Sequence, residues 1–188
     1  MQTFEVEIKY RVEDITELER QLQRWGGTGF GTQVTDYDIF FQHPCRNFVH
    51  TDECLRLRNR VFPDGMSEHS LTYKGPKMDA LTKTRQEIEM PVAEPERWES
   101  LLTALGFCKS ASLHKFRRRQ TLTIDCRQID FVLDTLPALP ESGRQFLEIE
   151  TLATEDNLEE CRSSLLNIAE QLGLRHPIRE SYLQLVYG

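Results

Sequence analysis

The chain has 188 residues, 39% hydrophobic and 28% charged, which suits one globular domain with a core of its own. Its formal charge of -7 and pI near 5.3 argue against a general nucleic-acid binder, whose footprint is basic. No apolar run is long enough to span a bilayer, and Glu5, Glu7 and Lys9 stand where a signal peptide would be apolar.

The first strand is predicted over residues 4–12. Strand side chains alternate faces, so Glu5, Glu7, Lys9 and Arg11 share one side, and Phe4, Val6, Ile8, Tyr10 and Val12 the other. Asp14 then caps a helix carrying Ile15, Leu18, Leu22 and Trp25 at helical spacing, closed by Gly26 and Gly27. Gly29 and Gly31 continue the glycines into a strand. A dinucleotide fingerprint needs the opposite order, strand before helix, so this stretch reads as a turn. A strand over 33–41 carries Asp36 and Asp38 and ends at Phe40-Phe41.

Residues 54–60 alternate strictly and put Arg56, Arg58 and Arg60 on one face. Pro63-Asp64-Gly65 marks a turn, and 70–74 returns as a strand ending at Lys74. A loop follows to about residue 83. The stretch 85–90 then repeats the opening pattern, with Arg85, Glu87 and Glu89 facing one way. A helix over 95–105 presents Trp98, Leu101, Leu102 and Leu105 and stops at Gly106.

The next strand aligns Lys115, Arg117 and Arg119, with 122–124 and 129–134 as further strands. After a loop over 137–143, residues 145–150 give a third Glu-x-Glu strand. A helix over 155–172 buries Leu158, Cys161, Leu165, Ile168 and Leu172 and stops at Gly173; 179–187 form a short helix. Strand, acidic cap, amphipathic helix and terminating Gly thus occur three times, beginning at Glu5, Glu87 and Glu148. The five cysteines are scattered, with no Cys-x-x-Cys pair, which fits a reducing cytoplasm and offers no zinc site. No Gly-x-x-x-x-Gly-Lys loop and no helical His-x-x-x-His pair is present.

Alternation permits two arrangements. The charged faces can be the solvated side of an antiparallel sheet, or they can line a barrel whose apolar faces point outward. Their composition bears on the choice: they are almost wholly Glu, Asp, Arg and Lys, where a solvated face mixes in Thr, Ser and Gln. Charges drawn from water cost several kcal/mol each unless well paired, so a charged interior needs a compensating ligand. The Lys and Arg set suits a polyphosphate, each close cation contributing on the order of 4 kcal/mol at an effective dielectric near 20. The carboxylates would repel the same anion unless a hard divalent cation stood between them.

Glu5-Val6-Glu7-Ile8-Lys9 resembles the Glu-x-Glu-x-Lys signature of the CYTH superfamily, the triphosphate tunnel metalloenzymes. Asp38-Ile39-Phe40-Phe41, Leu55-Arg56-Leu57-Arg58 and Leu71-Thr72-Tyr73-Lys74-Gly75-Pro76 look like its CyaB-type (class IV) adenylyl cyclase branch, a relative of thiamine triphosphatase. Arg85-Gln86-Glu87-Ile88-Glu89, Lys115-Phe116-Arg117, Leu133-Asp134, Phe146-Leu147-Glu148-Ile149-Glu150 and Arg179-Glu180-Ser181-Tyr182-Leu183 follow in family order, so the likeness spans essentially the whole chain. Phe40 stands where the family often has Tyr.

The resemblance implies an α+β fold: an antiparallel eight-stranded β-barrel tunnel with a charged interior and helices packed outside, residues 1–188 forming a single CYTH domain. It implies Mg²⁺ or Mn²⁺ held by Glu5, Glu7, Asp134, Glu148 and Glu150. Triphosphate binding falls to Lys9, Arg56, Arg58, Lys74, Arg85, Lys115 and Arg117, and tunnel lining to Glu87 and Glu89. Catalytic weight falls on Lys9, Glu7 and Glu150. Arg119 keeps strand parity but matches the motif poorly, leaving a surface role equally open. The implied partner is ATP, tripolyphosphate or thiamine triphosphate, with neither nucleic acid nor membrane, and a homodimer left open. The favoured reaction is ATP to cyclic AMP and pyrophosphate. The alternatives are hydrolysis of tripolyphosphate, thiamine triphosphate or a nucleoside triphosphate, and a non-catalytic polyphosphate or nucleotide sensor.

Overall fold

A computed structural model describes residues 3–78 and 82–188. The period-two segments form strands β1 (Thr3–Arg11), β2 (Val34–Gln42), β3 (Cys54–Val61), β4 (Ser67–Lys74), β5 (Arg85–Pro91), β6 (Cys108–Ile124), β7 (Arg127–Thr135) and β8 (Gln145–Thr154). Every neighbouring pair is antiparallel, and the sheet closes in the order β1-β5-β4-β3-β2-β6-β7-β8. Closure decides between the two arrangements that alternation allows. Apolar side chains such as Val6, Ile8, Phe131 and Ile149 point outward beneath helices and are fully buried, and the charged faces turn inward.

The helical segments are α1 (Ile15–Arg24), α2 (Phe48–Thr51), α3 (Pro95–Ala104), α4 (Leu158–Gln171) and α5 (Tyr182–Tyr187). Helices α1 and α4 cover β1, β7 and β8 through Leu18, Leu22, Leu165 and Ile168. Helix α3 covers β2 to β4 through Leu102, against Phe41, Leu57 and Leu71. Helix α5 brings Tyr182 onto Leu113 and Phe146. The three strand–helix repeats are β1-α1, β5-α3 and β8-α4. In the first, the Asp14 side chain accepts from the Glu17 N–H, and Gly26 leaves the helix with φ +86°, the left-handed conformation a glycine adopts without penalty.

Two elements differ from the sequence expectation. The strand around Lys115 and the one at 122–124 are a single 17-residue strand, β6. No Gly or Pro interrupts 108–124, so nothing stops the ladder, and β7 pairs with its C-terminal half from Phe116↔Thr135 to Ile124↔Arg127. The short helix α2 lies between residues 41 and 54, where the sequence reading assigns no element. It is nucleated by Asn47, whose side chain accepts from the Val49 and His50 N–H groups. Among the described residues, no helix is long and apolar enough to cross a membrane.

Candidate active site in the barrel interior

The inward faces of β1, β3, β4, β5, β6 and β8 line a cavity of about 500 Å³. Its acidic wall is built by the β1–β8 ladder. Glu7 pairs with Glu150 and Lys9 with Glu148, while Glu5 lies one inward step from Glu7. Carboxylate oxygens of Glu5, Glu7 and Glu150 come within 4.8 Å of one another. Each carboxylate has a tethered cation beside it: Lys74 Nζ 3.0 Å from Glu5, Lys83 Nζ 2.9 Å from Glu7, and Arg119 3.3 Å from Glu150.

These contacts divide the carboxylates electrostatically. Burial would raise Glu5 and Glu7, but the groups around them together outweigh it, led by Lys74 at Glu5 and by Lys83 with Lys74 and Lys9 at Glu7, and hold both at about 2. Glu150 goes the other way: burial and then the neighbouring Glu5 raise it well above the carboxylate range, against the pull of Arg117. Glu87 is pushed up to about 7, by burial first and the charge of Glu5 next, although Lys74 lies 2.6 Å away.

The basic wall is held by buried carboxylates. Arg117 reaches Asp134 at 2.6 Å and Glu148 at 2.7 Å, and Lys115 bonds Asp134 at 2.8 Å. Arg58 grips Asp38 through two bonds of 2.7 Å and lies 3.2 Å from Asp36, which also takes two bonds from Arg60. Asp36, Asp38 and Asp134 are nearly without exposure. They therefore fix the cations, Asp36 and Asp134 from behind the lining and Asp38 from within it, each bidentate pair orienting a guanidinium. Arg56 donates to Thr72 at 3.1 Å and faces Glu89 at 3.5 Å; Arg85 donates to the Gly75 carbonyl at 3.4 Å.

One end of the interior is covered by the chain leading into α5. The Ile178 N–H donates to the Lys9 carbonyl at 2.7 Å, and Lys9 Nζ donates to the Glu180 carbonyl at 2.6 Å. The Tyr182 ring lies under Lys9, with Nζ 4.0 Å from its centroid, and Lys115 at 5.1 Å. Burial, and then the like charge of Lys83, lower the Lys9 ammonium to about 7.

Comparison with known proteins fits this geometry. Residues 3–182 match the family model described as the CYTH domain. The chain is a CYTH protein. It is 34% identical to a putative adenylate cyclase of Methanocaldococcus jannaschii, over 96% of this chain and 97% of that one. The solved structure of the PH1819 protein from Pyrococcus horikoshii superposes with a TM-score of 0.82 at 36% identity, covering 97% of this chain and 98% of the other. A Hippeastrum protein, described as a putative adenylyl cyclase with a dominant triphosphatase activity, shares the fold at a TM-score of 0.61. It is 14% identical, over 97% of this chain and 95% of that one.

In this CYTH barrel, Lys9, Arg56, Arg58, Lys74, Arg85, Lys115, Arg117, Glu5, Glu7, Glu87, Glu89, Glu148 and Glu150 all line one cavity. Of the five carboxylates expected at a metal, Glu148 and Asp134 are not among the converging three: Glu148 is bonded to Arg117, and Asp134 lies fully buried under Lys115 and Arg117. Arg119 lines the cavity from a half-exposed position, bonded to Asp130 as well as near Glu150. Three hard oxygen donors in mutual reach fit a small divalent cation such as Mg²⁺ or Mn²⁺, and the raised Glu150 marks where negative charge is left uncompensated.

The sequence reading leaves out of the site set Lys83, Tyr182, Arg179 and Arg60, which line the cavity, and Asp36, which lies behind it. Strand parity offers a signal for most of them. Arg60 and Asp36 sit in register on the inward faces of β3 and β2, and Lys83 keeps the parity of Arg85, Glu87 and Glu89. Tyr182 and Arg179 carry no such signal, because their position depends on where the tail docks.

Proposed function

We propose that this CYTH barrel is a divalent-metal-dependent enzyme that converts ATP to cyclic AMP and pyrophosphate. The observation that carries the reading is the convergence of Glu5, Glu7 and Glu150 within 4.8 Å, inside a barrel whose other walls present buried lysines and arginines. Mg²⁺ or Mn²⁺ held by those carboxylates would neutralise phosphate charge and polarise a phosphoryl oxygen.

The protein's own groups do the rest. Arg56, Arg58, Lys74, Lys115 and Arg117, with Arg85, would bind the triphosphate oxygens. Asp36, Asp38 and Asp134 already hold several of these cations in place, so little reorganisation accompanies binding. The ribose 3′-hydroxyl oxygen attacks the α-phosphorus, the bond from that phosphorus to the bridging oxygen breaks, and pyrophosphate leaves. The hydroxyl proton needs an acceptor near neutral pH, and Lys9, brought to about 7, can serve as one or bind an anionic oxygen.

A second reading, hydrolysis of a terminal phosphoryl group, has support of its own. The cavity lining is chiefly cations and carboxylates, which recognise a triphosphate whatever it is attached to. Five free cysteines accord with action in a reducing cytoplasm. The first test is consumption of ATP by the purified protein with Mg²⁺ or Mn²⁺ and its arrest by EDTA; ATP left intact with both metals would refute the cyclase reading.

A further inference from the structure

We infer that Lys83 is a tethered cation that occupies Glu7 until a divalent metal displaces it, and that it then neutralises the bound triphosphate. The inference rests on the metal and triphosphate reading above and assigns a role to a residue outside the family motifs. The β1–β5 ladder pairs Phe4 with Gln86 and Glu5 with Arg85. Carried on by two residues in each strand, the same register sets Lys83 against Glu7. The Lys83 N–H donates to the Glu7 carbonyl at 2.9 Å, so the seam continues past the end of β5. Lys83 therefore turns inward, as Arg85 does, and its Nζ bonds Glu7 Oε1 at 2.9 Å with the side chains 8% and 10% exposed.

That position conflicts with metal at the same carboxylate. A divalent ion coordinated by Glu7 would lie at roughly 2.1 Å from its oxygen. An ammonium held on Oε1 would then be a like charge sharing one carboxylate with the ion. A displaced Lys83 has room to yield into the cavity beside Tyr182. Its Nζ lies 6.0 Å from the centroid of the Tyr182 ring, around which Lys9 and Lys115 stand at 4.0 and 5.1 Å. Lys115 is paired with Asp134 and Lys83 with Glu7, so a Lys83 displaced toward Lys9 leaves its counter-charge and gains a cationic neighbour. A phosphate oxygen there would accept the displaced Lys83, so metal and triphosphate should each favour the binding of the other.

The experiment compares wild type, Lys83→Met and Lys83→Arg by calorimetric titration with Mn²⁺ alone and, separately, with tripolyphosphate in EDTA. Lys83→Met should bind Mn²⁺ about tenfold more tightly, the effect of removing one charge-assisted contact. It should bind metal-free tripolyphosphate about tenfold more weakly, because without Lys83 the charge of Glu7 stands uncompensated against the anion. Lys83→Arg, which keeps the charge, should behave as wild type in both titrations. Mn²⁺ should also raise the melting temperature of Lys83→Met more than that of wild type, because Glu7 has lost its internal partner. If Lys83→Met fails to fold, Lys83→Gln supplies the same readouts. Unchanged or weaker Mn²⁺ binding in the folded variant would overturn the inference. Both titrations are independent of turnover, so a protein that binds Mn²⁺ and tripolyphosphate without transforming any triphosphate would refute the enzyme reading and leave the Lys83 result standing.

Discussion

Glu7 and Glu150 stand directly opposite each other in the β1–β8 ladder, both turned into the barrel, and their carboxylates meet that of Glu5 within 4.8 Å. Two like charges are rarely set cross-strand without a counterion, since direct apposition is destabilising. Here the nearest cations, Lys83 and Arg119, are side chains that can move away. Glu7→Gln keeps the shape and removes the charge. It should lower metal-dependent turnover on the order of 100-fold, the scale of losing a few kcal/mol of charge stabilisation. Its circular dichroism spectrum should match wild type. Undiminished turnover would take Glu7 out of the metal site.

Arg58 and Asp38 form the most enclosed bidentate pair of the basic wall, at 6% and 2% exposure. Removing one partner of a buried pair leaves the other uncompensated, at a cost of about 3 to 5 kcal/mol. Asp38→Ala should therefore lower unfolding free energy by about 3 kcal/mol in urea titration. Because Arg58 would lose its alignment, the same variant should raise KM for the triphosphate more than it lowers kcat. An unchanged KM would mean that Arg58 does not touch the substrate.

The pH dependence of metal binding follows from Glu150 and Glu87. In the metal-free protein, burial and the proximity of Glu5 keep a proton on Glu150 well above the ordinary carboxylate range, and Glu87 titrates at about 7. Coordination requires the carboxylate, so binding should release protons and tighten as pH rises toward neutrality. Calorimetric titration with Mn²⁺ in buffers of different ionisation enthalpy measures the proton count directly. Glu150→Gln should lose most of that release. Proton-neutral binding in the wild type at pH 6 would contradict the assignment.

Tyr182 carries a buried hydroxyl with no hydrogen-bond partner, while its ring lies under Lys9. An unsatisfied buried polar atom costs about 1 to 3 kcal/mol, so Tyr182→Phe should stabilise the metal-free protein by about 1 kcal/mol in urea titration. Tyr182→Ala should destabilise it by about 3 kcal/mol, through the cavity left against Phe146 and Leu113. A destabilised Tyr182→Phe would show that the hydroxyl has a partner in solution.

Much of this architecture was legible in the sequence. Strict alternation placed Glu5, Glu7, Lys9, Arg56, Arg58, Glu87, Lys115, Arg117, Glu148 and Glu150 on shared strand faces, and the closed barrel turns all of these faces toward one cavity. Whether the faces pointed in or out was beyond the pattern itself, because alternation is the same for both. The resemblance to the CYTH family carried that step. Asp134 was read with the metal carboxylates, yet it lies beneath Lys115 and Arg117. Strand parity gives the face of a residue but not its depth below the cavity surface. Lys83 lay one inward step before a strand read as starting at Arg85. Tyr182 reaches the interior through a tail whose docking depends on tertiary contacts with Lys9, Leu113 and Phe146.

The measurement that bears most directly on the central claim is identification of products by ³¹P NMR with chromatography. Purified protein would receive ATP, tripolyphosphate or thiamine triphosphate separately, each with Mg²⁺ and then Mn²⁺. The expected result is cyclic AMP and pyrophosphate from ATP, abolished by EDTA and by Glu7→Gln. Orthophosphate from tripolyphosphate with no cyclic AMP would replace the cyclase assignment with a triphosphatase. No turnover of any of the three would contradict the account of this barrel as a catalyst.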